Sequence, residues 1–403
     1  MRVRLLAVVL TAQCGRELTV AVKLERIPPM ASRPSPPRVW LWLALMLLFL
    51  LLGAGLMWMS GRMKWMLGDL GFWGGAVGAP LLIWSILGFA RASLFIAQQR
   101  AAQGWDRARA ADLMSRVNRG RRSLRVFNVS LYTALRKTGE EPAPQLDALL
   151  NGKSALTAQP SWSNQAVMRH SRLPSEIDAA PERVLLKMLA QVLGDLTHPL
   201  SQWPEDTPLA LLLEVDSRLP ENQTALIWQQ AWRESGIHQT PVALKDNGLA
   251  AVDKWLDGRP DDQTLLLVVA LQCAPSQPEG TAEAAVGLLL EGGRSQANLA
   301  PIAYLHRPEQ ERAPTAEALR RALQQALDWV RLEAKSIAQI WRAGIDPQRD
   351  ATLITVLADA SMPSQFNQGL CNLDAVLGHP GKTRRGSRSP LQLRPSSTVR
   401  ARS

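Results

Sequence analysis

The sequence predicts an α/β protein preceded by a two-helix transmembrane hairpin. Two uncharged apolar runs, residues 39–59 and 70–90, are each about 21 residues long, and a helix of that length crosses a hydrocarbon core of roughly 30 Å. Further along, continuous apolar runs of strand length at residues 209–217, 265–271 and 284–290 are separated by stretches with helical spacing. Continuous rather than alternating apolar strands are typical of a sheet that is covered on both faces.

The residues that fill and flank the two apolar runs fit a membrane hairpin. Trp40, Trp42 and Trp58 lie toward the ends of the first run, where indole rings favour the membrane interface. Small residues in the second run allow a partner helix to approach closely. These are Gly71, Gly74, Gly75 and Gly78. Arginine and lysine are more numerous on the outer flanks of the two runs than in the connection at residues 60–69, so the positive-inside rule predicts that both termini lie in the cytoplasm. The expected location is a bacterial inner membrane.

The composition shifts along the chain predict six segments. The first is a disordered or mis-assigned N-terminal segment, within which Met30 is an alternative start. The full division is 1–38 N-terminal segment, 39–90 transmembrane hairpin, 91–125 basic juxtamembrane helix, 126–181 linker region, 182–381 α/β domain and 382–403 disordered basic tail. Within the α/β domain, Thr315 is predicted to cap a long helix and residues 352–360 are predicted to form a strand.

The charge balance does not indicate a nucleic-acid partner. The chain has 46 Lys and Arg against 35 Asp and Glu, a formal net charge of +11. Seven of the positive residues lie between Lys382 and Arg402, so the remainder of the chain has an ordinary charge. A second basic cluster at residues 107–125 fits either a surface against anionic lipid headgroups or a solvated helix face. The basic tail fits either an RNA- or lipid-binding segment or a truncated end.

The sequence predicts no metal ion and no cofactor. Cys14, Cys273 and Cys371 do not have metal-ligand spacing and are too few for a disulfide framework. The sequence has no phosphate-binding glycine loop and no HExxH motif. The tryptophans of the α/β domain lie at helical spacings, and any exposed ones among them are candidates for partner contacts. They are Trp228, Trp232, Trp255, Trp329 and Trp341.

Three stretches of residues 182–381 resemble the thiolase fold of the 3-oxoacyl-carrier-protein synthases. Residues 248–272 are similar to the nucleophile helix of those enzymes and the strand that follows it. Residues 279–293, EGTAEAAVGLLLEGG, are similar to their EGAAA-type strand, and residues 372–383, NLDAVLGHPGKT, to the GHxxxAAG loop that bears a catalytic histidine. The resemblance implies a partial thiolase-like layered domain over about half of the chain.

The resemblance also implies an active site that this sequence has largely lost. The family requires a cysteine thiolate at the start of the nucleophile helix, and here Asp246 and Asn247 occupy that place. The histidine that should follow residues 352–360 is absent, whereas His379 matches the histidine of the GHxxxAAG loop. Cys273 follows the wrong element and is predicted to be a buried structural thiol. The candidate site residues are therefore His379, Asp246 and Asn247.

These observations predict a membrane-anchored, non-catalytic interaction or scaffold protein. Its general organisation resembles that of accessory membrane proteins of type VI secretion systems, which implies protein partners, either secretion-system components or a second thiolase-like chain. Two alternatives stay open. One is a ketosynthase-like acyl-transfer enzyme that works with a partner chain, and the other is a lipid-binding protein that acts through residues 107–125.

Overall fold

The computed structural model describes residues 27–59, 70–137, 139–162, 166–175, 179–258, 264–292 and 299–380. Among these, residues 27–117 form one compact unit and residues 118–380 form another. The predictions for the N-terminal lead before Ile27, for the connection at 60–69 and for the basic tail lie outside the described residues.

The first unit is a pair of apolar helices. Helix α1 covers Val39–Met59. The second run begins as α2, Leu70–Trp73, passes through a π-helical turn at Gly74–Gly78 and continues as α3, Ala79–Gly120. Within the turn the amide of Ala79 donates to the carbonyl of Gly74, five residues back. Pro80, which has no amide hydrogen to donate, follows directly, and such a residue disturbs the regular α-helical ladder.

The two helices pack antiparallel through small residues. A Cβ atom built on Gly53 of α1 would lie 2.5 Å from Cγ of Pro80 and 2.6 Å from the carbonyl oxygen of Ala76. Nearer the start of α1, the indole Nε1 of Trp84 donates to the carbonyl of Trp42 at 2.9 Å. The close approach that the glycines of the second run predict therefore also involves a glycine of α1.

A proline-rich segment before α1, residues 28–38, runs back along α3 and is called the strap here. The carbonyl of Pro28 accepts from Nε of Arg109 at 2.7 Å, and that of Pro29 accepts from the indole of Trp105 at 3.1 Å. The amide of Ala31 donates to Asp106 at 3.0 Å. The strap is thus fixed to α3 at the end remote from α1.

The second unit is built on a mixed sheet of six strands in the order β5-β4-β6-β7-β1-β8 among the described residues. Strand β4 is parallel to β5 and β6, whereas β7 is antiparallel to both β6 and β1, and β8 is antiparallel to β1. The strands are β1 Ser123–Thr133, β4 Leu209–Ser217, β5 Pro241–Ala243, β6 Leu265–Cys273, β7 Ala284–Glu291 and β8 Ala303–His306.

Helices cover both faces of this sheet, as the continuous apolar strands predict. Leu209 and Leu211 of β4 point into a core with α5, Pro181–Leu200, and α6, Glu221–Glu234. Their neighbours Ala210 and Leu212 belong to a second core with α7, Gly248–Gly258. Because successive side chains of a strand point to opposite faces, both faces of β4 need apolar residues. The α/β class is confirmed.

The remaining elements form smaller groups. Helices α8, Ala316–Val330, and α9, Pro347–Asp359, share a core with the parallel pair β9, Ile340–Arg342, and β10, Leu370–Asn372. Thr315 caps α8 through its side chain, as predicted. The other elements are α4 Pro142–Leu150, α10 Leu373–Val376 and the antiparallel pair of β2 Thr157–Pro160 with β3 Val167–His170.

Three segment predictions need correction. Residues 126–181 are not a linker, since most of β1 lies there and pairs with β7 and β8 inside the sheet. The helix predicted for residues 91–125 ends at Gly120, and β1 begins at Ser123. Residues 352–360 were predicted to form a strand, but 352–359 lie in α9, which begins with an Asp346 cap and Pro347 in its first turn.

Candidate functional site

A buried polar group of the second unit lies at the carboxyl ends of the parallel strands β4 and β6, the edge at which open α/β sheets place ligands. Three chain segments lie side by side there. The amide of Ser171 donates to the carbonyl of Thr281 at 3.0 Å, and the amide of His379 donates to that of Gly280 at 2.8 Å. The amide of Ala282 completes the arrangement by donating to the carbonyl of His379 at 3.0 Å.

The centre of this group is Glu283, whose side chain is fully buried. Its carboxylate accepts from the indole Nε1 of Trp162 at 2.5 Å and from the amides of Leu173 at 3.1 Å and Ala274 at 2.9 Å. Burial raises the pKa of Glu283, and the three donors partly oppose this effect. A single carboxylate therefore connects three separate segments of the chain.

Cys273, at the end of β6, is buried beside Glu283, as predicted for a structural thiol. Burial raises the pKa of the Cys273 thiol well above its ordinary value, and the charge of Glu283 raises it further. Since the thiolate and not the thiol is the nucleophile, Cys273 has neither the ionisation nor the access that acyl transfer requires. Arg172, whose guanidinium lies 3.4 Å above the ring of Trp162, provides the nearby positive charge.

His379 reaches this edge of the sheet through its backbone. Its side chain is 64% exposed, and Nδ1 lies 3.6 Å from Oδ2 of Asp374. The preceding residue, Gly378, has a φ of +110°, and a Cβ there would lie 2.7 Å from the backbone of Thr281. The glycine of the LGHPG segment is therefore required for this close approach, and the imidazole is exposed whereas Glu283 is buried.

Asp246 and Asn247 lie between β5 and α7, next to strand β4 at the other side of the sheet. Asp246 forms an ion pair with Lys254 of α7 at 2.7 Å, and the side chain of Asn247 is exposed. The following amide, that of Gly248, donates to Glu214 of β4. Among the described residues, no hydrogen bond or ion pair connects these two side chains with His379.

A second buried polar group, which the sequence reasoning missed, centres on Arg307. Its guanidinium lies 2.5 Å from Asp253 and 2.5 Å from Asp257, and its side chain is completely buried. Arg119, at the end of α3, also binds Asp257 at 2.8 Å. The signal in the sequence was a pair of acidic residues four positions apart in α7, where Lys254 is the one other charged residue. Neighbouring Glu309 is largely buried and accepts from the indole of Trp329 at 2.5 Å.

This network corrects the hypothesis that residues 107–125 form a lipid-facing cluster. Arg119 and Arg122 are paired with Asp257, and Arg125 is paired with Glu291. These three arginines hold elements of the second unit together, so the hypothesis is wrong for them. The tryptophan prediction also changes, because none of the five is exposed. Trp228, Trp255 and Trp329 are buried, and Trp232 and Trp341 are partly buried.

The described residues contain no group of three or more His, Cys, Asp or Glu side chains placed to hold a metal ion. A depression of about 410 Å³ lies near the end of α9. It is lined by Lys335, Ile337, Ala358, Ser361, Met362, Pro363, Ser364 and Gln368. None of the predicted site residues lines it.

No protein-family model and no curated protein matches this chain. Distant similarity is found to solved structures. An oxazolomycin ketosynthase domain from Streptomyces albus is 15% identical with a TM-score of 0.36, over 64% of this chain and 75% of the other. A type III pentaketide synthase from Neurospora crassa is 11% identical with a TM-score of 0.31, over 64% and 86%.

An HMG-CoA synthase from Bacillus subtilis is 8% identical with a TM-score of 0.29, over 60% of this chain and 63% of the other. Similarity at this level assigns neither a fold nor an activity to this chain.

Proposed function

We propose that this protein is a membrane-anchored, non-catalytic interaction module. The observation that carries the proposal is the exposure of the apolar helix pair. Both helices are long and apolar enough to cross a membrane, and in each the most apolar window is only 6% buried. Leu47 and Leu51 of α1 are 59% and 63% exposed. A core helix of a water-soluble protein buries such side chains, whereas a membrane helix presents them to lipid.

The chemistry of the second unit supports a non-catalytic role. Glu283 is occupied by three donors, and Cys273 is buried beside it. Asp246 is paired with Lys254. These three side chains, which suit acid–base or nucleophilic work, are thus engaged within the fold, whereas the imidazole of His379 is exposed. In the same proposal, the second unit presents its surface to protein partners such as components of a type VI secretion system.

The location within the cell is part of the proposal. Arg38 precedes α1 and Arg91 follows the apolar part of α3, so both outer ends of the pair carry positive charge. By the positive-inside rule such ends lie on the cytoplasmic side of the membrane, and the proposed membrane is a bacterial inner membrane.

The anchor is tested by alkaline carbonate extraction of bacterial membranes that contain the full chain. We expect the chain to remain in the membrane pellet. The double variant Leu47→Lys with Leu51→Lys should move it to the supernatant, because each lysine near a helix centre costs about 2.5 to 3.5 kcal/mol of insertion free energy. The matched control, Leu226→Lys with Val242→Lys, alters two exposed apolar residues of the second unit and should stay in the pellet. Wild-type protein in the supernatant would refute the anchor.

The non-catalytic role is tested with the purified full chain in detergent and a labelled acyl thioester. We expect no transfer of the acyl group to protein or to an added thiol acceptor. Transfer that is lost in His379→Ala would overturn this part of the proposal. Chemical cross-linking in intact membranes, followed by identification of the cross-linked chains, should recover a protein partner through the second unit.

A further inference from the structure

The charged residues of the first unit are strongly unbalanced. Its described residues contain seven arginines and two aspartates, and no lysine or glutamate. The arginines are Arg33, Arg38, Arg91, Arg100, Arg107, Arg109 and Arg116. Both carboxylates are already engaged, since Asp106 accepts from the amide of Ala31 and Asp112 is paired with Arg116 at 3.0 Å. The described part of this unit therefore has no carboxylate left for its other arginines.

Two of these arginines lie at one end of the apolar helix pair. Arg38 directly precedes α1, and Arg91 lies in α3. The contact between Trp42 and Trp84 brings the start of α1 beside this part of α3. Arg38 is about 6 Å along the chain from Trp42 and Arg91 about 10 Å from Trp84, at 1.5 Å per helical residue. The Cα atoms of Arg38 and Arg91 are therefore within about one helical turn of the same level.

Two more arginines lie further from the apolar helix pair, one in the strap and one in α3. The strap is attached to α3 at Asp106 through Ala31 and returns to the start of α1. Arg33 of the strap and Arg100 of α3 are both exposed and lie between these two points. Arg100 is nine residues beyond Arg91, about 14 Å at the helical rise. The strap and α3 together thus present two tiers of arginine beyond one end of the helix pair.

We propose that Arg33, Arg38, Arg91 and Arg100, called the arginine collar here, bind the headgroups of anionic phospholipids. This inference rests on the proposed membrane anchor and names the lipid class that the anchor selects. Guanidinium forms paired hydrogen bonds with phosphate oxygens, and a basic residue beside an anionic membrane surface contributes about 1 kcal/mol. The inner tier lies where the apolar helices end, whereas the outer tier lies about 14 Å further along α3. Because the surface field falls off over about 10 Å, the inner tier contributes most of the binding.

The experiment uses the full chain in nanodiscs that contain equal amounts of phosphatidylglycerol and phosphatidylcholine. Native mass spectrometry counts the lipids that remain bound after release. The wild type should retain phosphatidylglycerol in preference to phosphatidylcholine. Arg38→Gln with Arg91→Gln should reduce this preference by between fivefold and about 25-fold, because about 1 kcal/mol per arginine corresponds to about fivefold each.

Two further variants separate charge from folding. Arg38→Lys with Arg91→Lys keeps the positive charge and should retain most of the preference. Arg320→Gln with Arg321→Gln removes two arginines of α8 that are paired with Glu317 and should leave the preference unchanged. Equal retention of the two lipids by the wild type, or equal loss in this control, would overturn the arginine collar. Carbonate extraction of the bacterial membranes from which each variant is purified reports the anchor separately, since a chain that stays embedded without lipid preference refutes only the collar.

Discussion

The two units of the chain differ in the exposure of their apolar side chains. In α1 the only buried residue is Gly53, and Leu48 is 51% exposed. In β6, Leu265, Leu266 and Leu267 are all fully buried. Both segments are uncharged apolar runs, so an apolar run alone does not determine whether its side chains are buried or exposed. What differs is the surroundings, because the sheet has helices on both faces and α1 has one neighbouring helix.

The kind of residue that is buried also differs between the units. The closest backbone approach in the helix pair falls on small residues, Gly53 and Ala76, with Phe72 also buried in this unit, whereas the sheet buries leucine and valine. Helices in lipid gain little from covering leucine and associate through close backbone packing instead. In water, leucine burial is the main driving force. This difference is what the proposed membrane anchor predicts.

The largest expected difference comes from one substitution made in both units. Leu267→Ala leaves a cavity in a fully buried strand and should lower the free energy of unfolding of the second unit by about 2 to 5 kcal/mol. Leu48→Ala removes an exposed side chain of α1 and should change that free energy by less than about 0.5 kcal/mol. Urea unfolding of the full chain in detergent, followed by pulse proteolysis of the second unit, measures both. Equal losses in the two variants would contradict the comparison.

The second prediction concerns the pH dependence of the second unit. Burial raises the pKa of Glu309 from 4.5 to about 7, and the indole of Trp329 opposes this only in part. The folded unit then holds a proton that the unfolded chain releases above about pH 4.5. The stabilisation is therefore complete below that pH and is lost as the pH rises to 7, by at most about 3 kcal/mol. The free energy of unfolding, measured from pH 4.5 to pH 8, should fall accordingly.

Glu309→Gln provides the control for this pH dependence. Glutamine keeps an oxygen that can accept from Trp329 and has no proton to lose. Its unfolding free energy should be flatter over the same pH range than that of the wild type. A wild-type slope that persists unchanged in Glu309→Gln would assign the effect to another group. The helix pair, whose described charges are mainly arginines, should keep the chain in the membrane pellet at both ends of this pH range.

The sequence predicted best the elements whose signals are local. Residues 209–217 were predicted to be a strand, and β4 has the same bounds. The strand predicted at 265–271 begins at the same residue and ends two residues later, at Cys273. Thr315 caps α8 through its side chain, as predicted. In each case the residues that define the element, whether an apolar run or a capping residue, lie within a few positions of one another in the sequence. Distant parts of the chain are not needed to define such elements.

Most of the elements and contacts that the sequence did not predict depend on residues that are far apart in the chain. Strand β1 is fixed by pairing with β7, more than 150 residues away, as between Leu131 and Val286. The network around Arg307 and the contacts of Glu283 likewise join residues that are distant in sequence. Residues 352–359 did carry a local signal, since Leu353, Val356 and Leu357 have helical spacing and all three are buried. The β-branched residues between them gave the opposite indication.

The smallest expected effect tests the close packing of the helix pair. Gly53→Ala places a methyl group 2.6 Å from the carbonyl oxygen of Ala76, a backbone atom that can move only with its helix. Overpacking of this kind costs about 1 to 3 kcal/mol. Gly55, two residues along α1, has no atom within 4 Å of its built Cβ, so Gly55→Ala should be neutral or slightly favourable to the helix.

The two glycine variants are compared by disulfide formation between cysteines at positions 57 and 75, because Met57 contacts Gly75 across the pair. In full chains that carry Met57→Cys with Gly75→Cys, Gly53→Ala should slow cross-linking at least severalfold, as expected when 1 kcal/mol shifts the equilibrium between packed and separated helices about fivefold. Gly55→Ala should leave the rate unchanged. If both variants cross-link at the parental rate, then the two helices do not depend on the contact at Gly53, and the contrast between small-residue and leucine packing applies only to the sheet.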